Sequence, residues 1–213
     1  MSPDQLIEKV RDDLRHGRIK PADISVRRVA DWLKKSTMVV YHHFGSLDGM
    51  LFAVGQSGMR LLGERLVGRK LTEVAEEFVR FGIEAPSLYY VMFEHHYDWA
   101  ALRKAGALKP DMPGRHLFVH LVKELGSDRD ARIFIAGLHG LVSLALSGRA
   151  NVGALQMTDE AAAIDAAREL VRKLTREKHD SRRTHPAERR STEKSSRQVG
   201  DVGAARRKRR RAQ

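Results

Sequence analysis

Two groups of side chains in this sequence are of types and spacings that can do chemistry. His116 and His120 stand four apart, which puts two imidazoles on one helix face, and Glu94, His95, His96 and Asp98 cluster upstream. Imidazole and carboxylate are metal ligands. Histidine pairs at this spacing are nevertheless common on helical surfaces, and no glutamate follows His116 as in a zinc hydrolase. We therefore expect surface or core histidines, with no metal and no other cofactor. The second group is Ser36, Thr37, Tyr41 and His42, with Arg27, Arg28, Lys34 and Lys35 close by. Hydroxyls, imidazoles and cations in such a cluster suit phosphate oxygens, which accept from all of them.

Enzymatic patterns are missing. The chain has no phosphate loop, no Gly-x-Ser-x-Gly elbow and no dinucleotide fingerprint, and Gly137-Leu138-His139-Gly140 lies inside an apolar helical run where it serves packing. With no cysteine, disulfides, thiolate metal sites and thiol nucleophiles are excluded. The expectation is a non-enzymatic protein. A charged, amphipathic start without a signal-peptide core makes the cytoplasm the expected compartment. The longest apolar run, Ile133 to Leu146, has 14 residues with His139 in its middle. It is too short to span a bilayer, which needs about 20.

Charge is unevenly placed. Of the formal +12, the residues from Arg176 onward carry +9, as 14 Lys/Arg against 5 Asp/Glu, and everything before them carries +3. The excess belongs to the tail, so a nucleic-acid partner has to be argued from a motif.

The elements that must position these groups are all helical. Apolar residues recur at three and four throughout, and nowhere is there sustained alternation of β-branched residues. Ser2, with Pro3 and Gln5 after it, opens a first helix that Gly17 ends. Ser25 opens a short second one ending near Leu33, Ser36 caps a third to about His43, and Ser46 with Asp48 begins a long fourth. Further helices are expected over 71–85, 87–105, 114–125, 128–148 and 159–177. After about Lys178 the periodicity stops and polar and basic residues take over, as in a disordered tail.

Two short helices joined by a tight turn fit a DNA major groove, the second entering while the first braces on the backbone. In Val29 to Asp48, VADWLKKSTMVVYHHFGSLD, the inward set is Val29, Ala30, Leu33, Val40 and Phe44. The outward set is Ser36, Thr37, Met38, Val39, Tyr41 and His42. The Thr37 and Val39 methyls suit thymine methyls, and the polar groups suit phosphates. By pattern alone, an ordinary helical hairpin with a solvated face stays open.

The segment from Ser25 to Leu51 resembles the DNA-binding domain of the tetracycline-repressor family, above all in Ser36, Tyr41-His42-His43-Phe44, Ser46 and Leu51. The resemblance implies that Tyr41 and His42 touch backbone phosphates and that Phe44 packs under the recognition helix. Two positions depart from the family pattern: Lys34 stands where the turn usually has glycine, and Thr37 where lysine usually follows Ser36. A left-handed non-glycine residue costs about 1 kcal/mol. Residues 78–93 and 134–149 resemble one common C-terminal domain of the family, with His139-Gly140 and Ser147-Gly148-Arg149 on a helix that helps form the dimer interface in relatives; the family's preceding tryptophan is absent, with Phe134 or Ile135 nearby instead.

The resulting expectation is a helix-turn-helix domain over 1–50, a ligand-binding and dimerisation domain over 51–177 and a basic tail over 178–213. The function implied is a homodimeric regulator, a repressor that leaves its double-stranded DNA operator when a small apolar or aromatic ligand binds. Residues expected around that ligand are Met92, Phe93, His96, Trp99, Leu102, Leu117, Phe118, Leu121, Leu138 and His139. Two alternatives remain: a weakly specific architectural DNA binder dominated by its tail, and a small-molecule binder whose DNA motif has decayed.

Overall fold

The structure, a computed structural model, describes residues 2–147 and 160–184, with side chains as far as 176. These residues hold ten α-helices and no strand, so the fold is all-α. Among them no helix is long and apolar enough to cross a membrane.

Side-chain caps set the helix starts. Before α1 (Pro3–Arg15) the Ser2 hydroxyl accepts from the Gln5 amide at 3.2 Å while Gln5 Oε1 accepts from the Ser2 amide at 2.8 Å, the reciprocal box its spacing implies. Ser25 caps α2 (Val26–Leu33) through the Arg28 amide at 3.2 Å, and Ser46 caps α4 (Leu47–Leu66) through the Gly49 amide at 2.9 Å. The third expected cap does not form. Before α3 (Met38–Phe44) the capping position falls on Thr37, already in helical conformation and without a side-chain cap bond. Ser36 contributes its carbonyl instead, which the Val39 amide meets at 3.1 Å.

α4 is the post on which the fold is assembled; α1, α3, α5 (Leu71–Glu84), α6 (Pro86–Tyr89) and α8 (Pro113–Leu125) all pack on it. It does so through small residues. A Cβ on Gly58 would lie 2.6 Å from Met92 Sδ, and one on Gly49 only 2.0 Å from the Phe44 carbonyl oxygen. Around the post, Leu6, Val10 and Leu14 of α1 and Met50, Val54 and Leu62 of α4 are fully buried. Each such side chain contributes about 1.5–3 kcal/mol. Glu77 of α5, also buried, bridges Arg65 of α4 and Arg80 at 3.0 Å each.

The single helix expected over 87–105 is in fact broken. α6 passes into a π-helical turn, Tyr90–Glu94, which ends in extended backbone at His95. α7 (Trp99–Lys104) then starts afresh, with Asp98 accepting from the Ala101 amide at 2.9 Å. Two tertiary bonds stabilise the break: Tyr97 donates its hydroxyl to the Val91 carbonyl at 2.7 Å, and the Asp98 amide reaches Asp48 at 3.3 Å. Helical periodicity along the sequence carries no trace of either.

α9 (Asp128–Leu146) buries Phe134, Leu138 and Val142 at successive turns, and Gly82 of α5 lets Val142 approach. α10 (Glu160–Thr184) adds Ala163, Ile164, Ala167 and Val171. The described residues to Val171 belong to one compact unit, and α10 from Arg172 onward is assigned to another. The domain boundary expected after residue 50 falls inside α4, and α10 continues beyond Lys178 to Thr184. The rest of the expected tail, with Gly148 and Arg149, lies outside the described residues.

The glycines of α4 give opposite expectations. Gly49→Ala should cost about 3 kcal/mol, because the new methyl meets backbone, which cannot rotate away. Gly63→Ala, with nothing within 4 Å of its Cβ position, should stabilise by about 0.5–1 kcal/mol. Urea denaturation checks both; equal effects would contradict the close α3–α4 packing.

Candidate nucleic-acid interface

α2 and α3 are held from below by Val29, Ala30, Leu33 and Val40, all buried, with Phe44 only half-buried. Between the helices Lys34 has φ 53° and ψ 43°, the left-handed conformation the tight turn requires, and it is the one non-glycine residue with positive φ among those described. A cost of about 1 kcal/mol is thus carried in the turn. It leaves two lysine side chains, Lys34 and Lys35, on the outside.

Arg27, Arg28, Lys34, Lys35, Ser36, Thr37, Met38, Tyr41 and His42 are exposed, and Val39 is half-buried. Met38 is 69% and Tyr41 48% exposed. Only Arg28 of the four cations is engaged, loosely, at 3.8 Å from Asp23 and 5.6 Å from the Trp32 ring centre. Arg27, Lys34 and Lys35 make no ion pair among the described residues. The surface therefore combines uncommitted donors and cations on a rigid support, an arrangement suited to phosphate oxygens.

Among the described residues, the ten expected around a ligand have different surroundings. Phe93 and His139 meet in an aromatic cluster with Phe78 and Tyr89, the Phe93 and Tyr89 ring centres 4.7 Å apart. Met92 is wedged against Gly58, and Leu102, Leu121 and Leu138 are core. Phe118 sits under the Arg132 guanidinium at 5.1 Å, and His96 is exposed. Leu117 lines a groove of about 490 Å³ between α4 and α8, whereas Trp99 borders a separate one of about 440 Å³ with Ala100, Arg103 and Lys104.

Two polar clusters escaped the sequence reading. Between α9 and the α6/π-helical segment, half-buried, the Tyr89 hydroxyl and His139 Nδ1 are 2.8 Å apart, and Ser143 donates to Glu94 Oε1 at 2.7 Å. At the base of α3, Asp48 on the first turn of α4 lies 3.2 Å from His95 Nε2 and also takes the Asp98 amide, so the turn after α3 is tied directly to the π-helical segment. His95 therefore points to Asp48 while Glu94 points to Ser143, and the upstream acidic and imidazole cluster is divided between them. Among the described residues no three such groups converge as metal ligands. The only sequence signal for these bonds was the density of polar residues over 94–98.

No family model matches the chain, and no curated protein matches it in sequence. Among solved structures it is similar to a protein with unknown function from Rhodococcus sp. RHA1, at 18% identity and a TM-score of 0.55, over 81% of this chain and 95% of that one. At that identity the likeness shows the fold alone.

Tyr89 and Tyr97 are held well above the ordinary phenol pKa, first by burial and then by the charges of Glu94 and Asp48 respectively. A raised folded-state value favours the neutral phenol. Its stabilisation is complete below the unfolded value near 10 and is lost as pH rises above it. Stability should accordingly fall above about pH 10 by up to about 1.4 kcal/mol per pH unit for each phenol. Urea midpoints between pH 9 and 11.5 measure this; a slope unchanged by the Tyr89→Phe, Tyr97→Phe double variant would refute the assignment.

Proposed function

We propose that this protein is a sequence-specific DNA-binding transcriptional regulator in which α2, the Lys34 turn and α3 act as a helix-turn-helix. The observation that carries this reading is the outward set from Arg27 to His42: its polar and basic groups are exposed, and most are uncommitted to holding the fold. An ordinary surface helix pair has no need of a left-handed lysine at its turn. The resemblance of Ser25 to Leu51 to the tetracycline-repressor family supports the same roles, with Tyr41 and His42 on phosphates and Thr37, Met38 and Val39 towards base edges.

In this reading two copies associate and place their α3 helices about 34 Å apart, on successive turns of one duplex face. A small apolar or aromatic ligand, bound behind α4, releases the DNA and makes the protein a repressor. The link between Asp48 and the His95–Asp98 segment supports such a coupling, because it joins the turn after α3 to the helical core. The +9 carried from Arg176 onward favours, as a second reading, a weakly specific binder. Salt separates the two, since binding dominated by phosphate neutralisation is lost in moderate salt with little preference among sequences.

Tyr41→Phe and His42→Ala should each weaken operator binding by about 1.5–3 kcal/mol, the worth of a hydrogen bond to a charged group. Helicity and association of the chain should be unchanged. Fluorescence anisotropy on a labelled operator duplex, with circular dichroism alongside, is the test; full affinity in both variants would remove α3 from the interface.

A further inference from the structure

A cleft of about 1040 Å³ runs between the first half of α1, the outer face of α4, the end of α3 and the 105–113 segment. It contains none of the ten residues expected to hold a ligand. Phe52, Gln56 and Arg60 face it from α4, four apart, with Ile7 on the α1 side and His42 and Phe44 at the α3 end. Its volume is that of a site for a drug-sized molecule, and its lining mixes aromatic rings with side chains of both charges.

One atom in it is anomalous. Gln56 Oε1 is buried and has no hydrogen-bond partner, the one buried side-chain polar atom in that state among the described residues. The neighbouring Ser57 shows how the same helix satisfies such a group when the fold alone is concerned: its hydroxyl accepts from Arg11 of α1 at 3.0 Å. A stranded buried acceptor is destabilising, and proteins tolerate such costs at functional sites. Gln56 itself lines the cleft, and the torsion about the last side-chain bond of glutamine is soft, so its amide is the group that an occupant would engage.

We infer that this cleft is a small-molecule site for an uncharged, partly aromatic compound carrying a hydrogen-bond donor, of which a lactam or carboxamide is the best match, because its N–H and carbonyl pair with the two ends of the Gln56 amide. Acidic Asp4, Glu8 and Asp111 and basic Arg60 and Lys109 are all in the lining, so no net ligand charge is demanded. Tyr41 and His42 also border the cleft, and an occupant would touch the turn of α3 assigned to phosphates. That last consequence rests on the proposed DNA reading, and binding is therefore tested without DNA.

The probes are 2-quinolinone, a bicyclic lactam, and N-methyl-2-quinolinone, which keeps the rings and loses the donor. The full chain is titrated with each at millimolar concentration while the nitrogen-resolved NMR signals of the Gln56 side-chain amide are followed. The expected result is saturable movement of those signals with 2-quinolinone and at least tenfold weaker binding of the N-methyl compound. Gln56→Leu should lose at least tenfold in affinity for 2-quinolinone while its melting temperature rises, since it removes the stranded oxygen. Gln56→Met should behave likewise if leucine fits poorly. The inference is overturned if the Gln56 signals stay still, if shifts occur only at residues away from the cleft, if both probes bind equally, or if both variants keep full affinity.

Discussion

Everything at the candidate interface depends on how closely α3 and the π-helical segment approach α4. Backbone oxygen of Phe44 occupies the space a Cβ at Gly49 would need, and Met92 fills the corresponding space at Gly58. A backbone oxygen cannot rotate away as a side chain can, so the contact at Gly49 is what sets how closely the end of α3 approaches the post. Val40 seals the helix from beneath, Gly45 turns the chain at φ 71°, and Ser46 restarts it. A helix of seven residues has little stability of its own. α3 holds its shape because α4 and α2 hold it, which leaves its outer face free of structural duty.

The free face is paid for elsewhere in the fold. Lys34 carries a left-handed backbone that glycine would adopt without strain, and Gln56 keeps a buried oxygen without a partner. Local rules broken in this way mark places where something besides stability has set the residue. Elsewhere, by contrast, buried and half-buried polar groups are satisfied: Tyr89 meets His139, Glu94 meets Ser143, and Glu77 has its arginines. The contrast supports the proposed placement of function at the α3 end of the molecule.

Much of this was legible from residue types alone. The Ser2–Gln5 box, the Ser25 and Ser46 caps and the buried stripe of Val29, Ala30, Leu33 and Val40 are local, and local signals are what a sequence displays. Ser36 failed as a cap because the chain enters α3 already helical at Thr37, which takes the capping position without bonding. The helix expected over 87–105 failed for a different reason. Its break at His95 to Asp98 is stabilised by Asp48, about 50 residues away, and such a bond leaves no periodicity. The expected ligand residues were chosen by type, and side chains of the same type turned out to serve core, surface and separate grooves. Gln56 drew no notice at all, since a glutamine on a helix is unremarkable until its surroundings are known.

The central claim is that α3, held by α4, reads DNA sequence. Selection of duplexes by the full chain from a random pool at physiological salt measures this directly. The account predicts enrichment of a two-fold related motif whose halves are spaced by about one helical turn or a multiple of it. A recovered pool that stays random in sequence, while binding falls steeply with salt, would contradict it.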